Sequence, residues 1–302
     1  MSLRFTVVPA STGAGRATIR SLLSSKIPLT VHGIYRDVSK SPAEFTSYPN
    51  FTASTGDVSS GEGLDVSGSD AVLYVPPPPV SGTDLDEFSN RTAHHVKEAL
   101  AEASVKRLVL ISSMGSQYDR EIGVLRLNHL SNKILENAAP EVVIVKPGLF
   151  QEQWAHVFET IKAHPPVIYS TVTPVDYKVP MVSVVDVGTY CARKLLEVGI
   201  NLPTSPYYFD LYGPRNYSTE DIRAAVEEVT GKKVGIVAIE REDLAGFYAQ
   251  RYPADQVSWM VDMTTAALPG GIMADDFVGN DSTVWAEEKL VSTLRRIYEG
   301  EV

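Results

Sequence analysis

The sequence is short of several things, and each shortage removes a class of function. One cysteine, Cys191, stands among 302 residues, so no intrachain disulfide can form. That usage suits a reducing compartment. Cys191 lies in the helical stretch GTYCARKLLEVG and reads as a small packing residue. No apolar run approaches the roughly 18 residues needed to cross a bilayer. The first residues lack the basic flank and apolar stretch of a signal peptide. These absences predict a cytoplasmic chain with no membrane partner. Lysine and arginine total 27 against 37 acidic residues, a net charge of −10, with the signs interspersed. The basic stripe that a nucleic-acid surface needs is missing. His94 and His95 are adjacent and diverge on a helix, and no third ligand stands at metal-binding spacing. No G-x-S-x-G element supports hydrolase chemistry of that kind.

What is present is a rhythm. Continuously apolar runs alternate with helical segments through the first half: Arg4 to Val8, Leu29 to Tyr35, the stretch ending at Gly56 and Asp57, Asp70 to Val75, then KRLVLISS and EVVIVKPG. Between them, GRATIRSLLSS, Asp84 to Ser104 and Leu125 to Ala138 carry helical spacing. Runs buried on both faces and joined by helices indicate parallel βαβ units. The predicted class is α/β, a doubly wound, Rossmann-like parallel sheet with a smaller α+β C-terminal cap. The expected division is residues 1–150 for the dinucleotide-binding domain and 151–302 for a substrate-binding cap partly interleaved with it. In the cap, Asp186 is the expected N-cap of one helix. Ser218 and Asp221 form a helix-start signature, Gly231 ends that helix, and Asp281 to Tyr298 reads as a terminal helix.

The ordered pieces PASTGAGR, IYRD, TGDV, SDAVLYVPP, KRLVLISSMG, NHLSNK and VKPGLFQEQW, with VPMVSVVDVGTYCARKLL and YYFDLYGPRNYSTEDIRAAVEEVTGKKV after them, resemble the NmrA-like branch of the atypical short-chain dehydrogenases/reductases. The resemblance covers most of the chain. It implies NAD(P)(H) binding. Relatives include reductases of natural-product intermediates, ergot alkaloids among them, as well as quinone reductases, isoflavone-reductase-like enzymes and redox-sensing regulators.

The family's phosphate loop, G-A-T-G-x-x-G, places its glycines on Pro9, Thr12 and Gly15 of this chain. Gly15 keeps the third role, close packing of helix on strand. Pro9 fixes φ and removes a donor. Thr12 sets a branched side chain where the pyrophosphate comes nearest, with a hydroxyl able to donate to it. The helix start survives, so Ser11, Thr12, Gly13, Ala14 and Gly15 are the expected phosphate segment, with Arg16 adding charge.

The resemblance also implies positions at the other strand ends. Arg36 stands where an arginine favours the 2′-phosphate, so NADP(H) is expected over NAD(H), with Lys40 assisting and Asp37 opposing. Asp57 falls near the adenine, and Pro76 and Pro77 line the adenosine side. Ser113 ends the fifth strand beside Ser112. The superfamily's Tyr-x-x-x-Lys pair is replaced by His129 and Lys133, four residues apart on one helical face. Lys133 is expected to bond the nicotinamide ribose and His129 to relay a proton. Tyr118 is a rival donor. Pro147, Gly148 and Phe150 border the nicotinamide, with Phe150 and Trp154 as an aromatic wall. Tyr207, Tyr208, Phe247, Tyr248 and Trp259 enrich the cap. The expected activity is reduction of a small, mostly apolar carbonyl, imine or enone. A regulator that senses NADP(H) without turnover and a non-redox isomerase or cyclase are the alternatives.

Overall fold

A computed structural model describes residues 2–300. In chain order the elements begin β1 (Leu3–Val8), α1 (Gly13–Leu23), β2 (Leu29–Tyr35), α2 (Ala43–Thr46), β3 (Phe51–Thr55), β4 (Ala71–Tyr74), α3 (Leu85–Glu102), β5 (Arg107–Ile111), α4 (Arg126–Leu135) and β6 (Glu141–Pro147). They continue β7 (Leu149–Phe150), α5 (Val157–Thr160), β8 (Val167–Ser170), β9 (Val179–Val182), α6 (Val184–Leu196), β10 (Tyr207–Tyr212), β11 (Asn216–Tyr217), α7 (Thr219–Thr230), β12 (Gly235–Ala238), α8 (Leu244–Ala249), α9 (Ala254–Ala267), β13 (Thr283–Trp285) and α10 (Leu290–Tyr298). Two compact units divide the chain. One holds the chain up to Ser116 with Arg126–Lys146 and Val187–Phe209; the other holds Gln117–Leu125, Pro147–Asp186 and the chain from Asp210 onward.

In the first unit the strands run β3-β2-β1-β4-β5-β6, followed by the start of β10. From β3 to β6 every neighbouring pair is parallel. This is the doubly wound dinucleotide-binding order, whose direction of winding reverses between β1 and β4. One face carries Val8, Ile34, Val72, Leu108 and Ile144 against Ala93, Val96 and Leu100 of α3 and Leu135 of α4. Helix α1 lies against β1 and β2, burying Ile19, Leu22 and Leu23. Helix α6 meets α1 so closely that a Cβ on Gly188 would lie 2.5 Å from Ala17; a larger residue would force the two helices apart.

Arg107 is wholly buried and fully used. Its guanidinium donates to Glu141 at 2.7 Å and to the carbonyls of Lys194 and Ile200 at 2.8 Å each. It thereby ties β5 and β6 to the end of α6 and the turn beyond, a buried charge retained with partners on every side.

The second unit contains a three-stranded sheet, β11-β9-β7, and a two-stranded one, β12-β8. Helix α7 starts at Ser218 with a complete capping box and ends at Gly231, whose φ of 69° is left-handed, both as the sequence indicates. Two expectations are corrected. Asp186 lies inside the first turn of α6 and accepts from the Glu288 N–H instead of capping. The helix start is held by Ser183 Oγ, which accepts from Val185 N–H, and by the Glu152 carboxylate, which accepts from Val184 N–H. The tail is not all helix: Thr283–Trp285 forms β13, parallel to Asp210–Tyr212 of β10, and α10 begins only at Leu290. Among the described residues no helix is long and apolar enough to cross a membrane.

Candidate functional site

The loop after β1 sits where the sheet reverses its winding. Ala10 N–H donates to Ile34 O, and Val75 N–H, beyond β4, donates to Val8 O. Thr12 is the N-cap of α1, with extended backbone (φ −67°, ψ 154°). Its hydroxyl donates to Pro9 O at 3.1 Å and accepts from Gly15 N–H at 3.0 Å. The side chain expected to reach a phosphate is therefore folded back onto its own loop, because capping satisfies an orphan helix donor. Arg16 N–H donates to Thr12 O. The N–H groups of Gly13 and Ala14 have no acceptor among the described residues, at a helix start with no acidic residue in its first turn. Gly15 is required: a Cβ there would lie 2.9 Å from Pro9 O and 2.7 Å from Thr12 Oγ1. Ser11, Gly13 and Arg16 are exposed. Two unpaired N–H groups, the positive helix end and an absence of carboxylate suit a pyrophosphate. The loop's substitutions leave that donor set intact.

The neighbouring strand ends carry the other expected residues. Arg36 follows β2, exposed and without an ion-pair partner among the described residues. Asp37 is engaged elsewhere: it accepts from the Ser39 hydroxyl and N–H, and these bonds hold its carboxyl below the usual carboxylate range. Lys40 stands 3.9 Å from it. Asp57 accepts from Ser59 N–H at 2.8 Å, so its carboxylate builds the turn after β3. Pro76 and Pro77 follow β4, both half-buried. Ser112 is buried with no partner for its hydroxyl among the described residues, whereas Ser113 is half-buried and its carbonyl accepts from Ser116 N–H.

On α4 the two expected residues differ in exposure. His129 is half-buried, with Nδ1 3.1 Å from Ser116 O. A carbonyl only accepts, so Nδ1 carries a proton and Nε2 is the ring's other polar atom. Lys133 is exposed and has no ion-pair partner among the described residues. The residue that meets the Ser116 loop beside His129 is Asn132, buried, donating from Nδ2 to Ser116 Oγ at 3.1 Å while its Oδ1 has no donor among the described residues. Sequence reading missed Asn132; its position three residues after His129 was the available signal.

Pro147, Gly148 and Phe150 belong to the second unit. Gly148 N–H donates to Leu211 O at 3.0 Å, and Phe150, half-buried, pairs with Val182 of β9. Trp154 is buried and stacked on His156, so it packs the interior. Tyr118 donates to Asp276 at 3.0 Å, and burial followed by that carboxylate raises its hydroxyl above the usual tyrosine value. Tyr207 and Tyr208 lie in the first unit, not in the cap. In the second unit Tyr248 bonds Thr264, and Arg251 covers Phe247.

Residues 10–192 match the family described as NAD(P)H-binding. The mitochondrial NADH-ubiquinone oxidoreductase 40 kDa subunit of Neurospora crassa is 23% identical over 158 residues, 51% of this chain and 40% of that protein. The chain thus spans less than half the length of that relative. The triphenylmethane reductase of Citrobacter sp., complexed with NADP(H), superposes with a TM-score of 0.74 at 15% identity, covering 98% of this chain and 100% of that one. NmrA, a negative transcriptional regulator, superposes with a TM-score of 0.70 at 12% identity, covering 100% and 97%. At these identities the two structural likenesses show the fold.

Proposed function

The chain belongs to the NAD(P)H-binding family, and on that premise we propose that it is an NADP(H)-dependent oxidoreductase reducing a small, mostly apolar carbonyl, imine or enone. The observation that carries the reading is the open helix start at the sheet's reversal point, where Gly13 and Ala14 keep their N–H groups unpaired. In the 3-2-1-4-5-6 order this is the position of a dinucleotide's pyrophosphate. Ser11 to Gly15 form the phosphate loop through backbone donors, not through the Thr12 hydroxyl. Arg36 supplies a cation for the 2′-phosphate, and the turn bonds on Asp37 reduce its competition for that guanidinium. Asp57 shapes the adenine side by holding its turn, and Pro76 and Pro77 give it a stiff wall.

A bound dinucleotide would supply hydride from C4 of its nicotinamide. The protein's part is orientation and a proton. His129 is the proton-handling group, with Nε2 as the working atom and the Ser116 carbonyl fixing the ring. Ser113 is assigned a polar contact. Lys133 keeps a ribose contact made from the helix surface.

Titrating the purified protein with NADPH and NADH, followed by nicotinamide fluorescence, tests the reading. Binding of NADPH ahead of NADH is expected; no binding of either at high micromolar concentration contradicts it. Arg36→Ala is expected to narrow the NADPH preference by about tenfold, the scale of one charge-assisted contact. An unchanged ratio removes the 2′-phosphate role. Lys133→Ala with unaltered affinity and turnover removes the ribose role. The exposure of Lys133 favours a second reading, a nucleotide-binding regulator without turnover. Binding of NADPH with no oxidation across a carbonyl and enone panel selects it.

A further inference from the structure

Ser116 closes the turn that follows β5, and three of its atoms are hydrogen-bonded. Its N–H donates to Ser113 O at 3.2 Å, across a turn in which Gly115 takes a left-handed φ of 79°. Its carbonyl accepts from His129 Nδ1 at 3.1 Å, and its hydroxyl oxygen accepts from Asn132 Nδ2, also at 3.1 Å. His129 and Asn132 stand three residues apart on α4, so one helix face grips two atoms of one residue. Ser116 is 2% exposed and Asn132 6%, whereas His129 is half-buried. The clasp has a buried end at Asn132 and an open end at His129.

Asn132 fills its place at a cost. Its Oδ1 is buried with no donor among the described residues, and a half-satisfied amide loses stability that an apolar side chain of similar volume would keep. Packing alone does not select an amide there; the bond that Nδ2 gives to Ser116 does. That bond fixes the residue whose carbonyl faces His129. A carbonyl only accepts, so its position decides which ring nitrogen keeps its proton. Asp86 of α3 lies near enough to sense the charge of His129, but both its oxygens accept from Arg126. We propose that Asn132 is a positioning residue. Through Ser116 it holds the His129 ring with a proton on Nδ1 and leaves Nε2 as the atom that exchanges one. The role rests on the reading of His129 as the proton-handling group, and it sets the control of that group one helical turn away, on a side chain that touches no ligand.

Long-range ¹H–¹⁵N correlation spectra of the histidines in the full chain, recorded above the pH at which His129 titrates, read the tautomer directly. The His129 signals are assigned by their loss in His129→Gln. The parent chain is expected to carry the His129 proton on Nδ1. Asn132→Leu removes the donor, and Ser116→Ala removes its acceptor while keeping the carbonyl. Each should lower the ratio of Nδ1–H to Nε2–H about fivefold, the scale of one hydrogen bond. The double variant should fall no further than either single one, because both break the same link. His95, whose Nδ1 lies 2.9 Å from Val58 O, should keep its signals throughout. Thermal melts verify folding, and Ser116→Ala decides alone if Asn132→Leu does not fold. A parent His129 protonated at Nε2, unaltered His129 signals in a folded variant, or losses that add in the double variant overturn the proposal. NADPH titration of the same samples separates the two readings. A tautomer lost in the variants without any NADPH binding sinks only the dinucleotide assignment, and NADPH binding with the tautomer unmoved sinks only the role of Asn132.

Discussion

Helices α1 and α7 both start at a hydroxyl N-cap, yet their first turns are finished differently. At α7, Ser218 accepts from Asp221 N–H and the Asp221 carboxylate accepts from Ser218 N–H, with Arg215 clamped on the same carboxylate. That end is closed by its capping box and by the carbonyl of Val175, which accepts from Glu220 N–H, and it carries Glu220 and Asp221 at the positive end of the helix dipole. At α1, Thr12 serves a single donor, Gly15 N–H, and no acid follows. The same cap chemistry thus serves the third N–H of each helix, while a carbonyl from outside the helix takes the second N–H of α7 and, among the described residues, none takes that of α1. An anion site needs the second kind of end. A glycine count of the loop does not distinguish them; the acid at the third helical position and the carbonyl of Val175 do.

The comparison can be broken at several points. Gly15→Ala has the largest expected effect. Its methyl group would press on Pro9 O, so a loss of about 2 kcal/mol is expected from overpacking, together with a drop in NADPH affinity of at least about tenfold, measured by melting and by titration. Acid is the next lever. Hydrogen bonds from Arg215, then from Ser218, hold the Asp221 carboxyl at about 2 against its ordinary 3.8. The folded value lies below the unfolded one, so the stabilisation is full above pH 4 and is lost as pH falls towards 2. It amounts to about 2 kcal/mol, and Asp221→Asn should flatten that part of the stability–pH curve. Ser218→Ala should cost about 1 kcal/mol and leave NADPH affinity unaltered; a change in affinity would contradict the division of labour between the two helix starts. Thr12→Gly is the smallest in stability, a few tenths of a kcal/mol. It frees Gly15 N–H and is expected to tighten NADPH binding several-fold.

Much of the fold was legible because parallel strands buried on both faces are continuous apolar runs, and Val7, Val31, Leu73, Val109 and Val143 are all fully buried. The capping box and Gly231 were legible because their chemistry is local. What escaped depended on partners distant in sequence. Asp186 looked like a cap until Glu152 and Ser183 supplied one and Glu288 took its carboxylate. The strand at Thr283 needs β10 beside it, and three residues cannot announce it alone. Of the candidate site, the strand-end positions of the phosphate loop, Arg36 and Ser113 were readable from order. The inward turn of Asn132 and the outward turn of Lys133 were not, because the residue choice on α4 is set by the Ser116 loop it meets.

The N–H groups of Gly13 and Ala14 at the start of α1, unpaired among the described residues, carry the proposed cofactor site. Titration of ¹⁵N-labelled protein with NADPH, followed residue by residue in amide correlation spectra, measures them directly. The expected result is saturable shifts largest at Gly13 and Ala14, with the amides at the start of α7, Thr219 to Asp221, unmoved. Saturation of the protein with NADPH while Gly13 and Ala14 stay in place would contradict it.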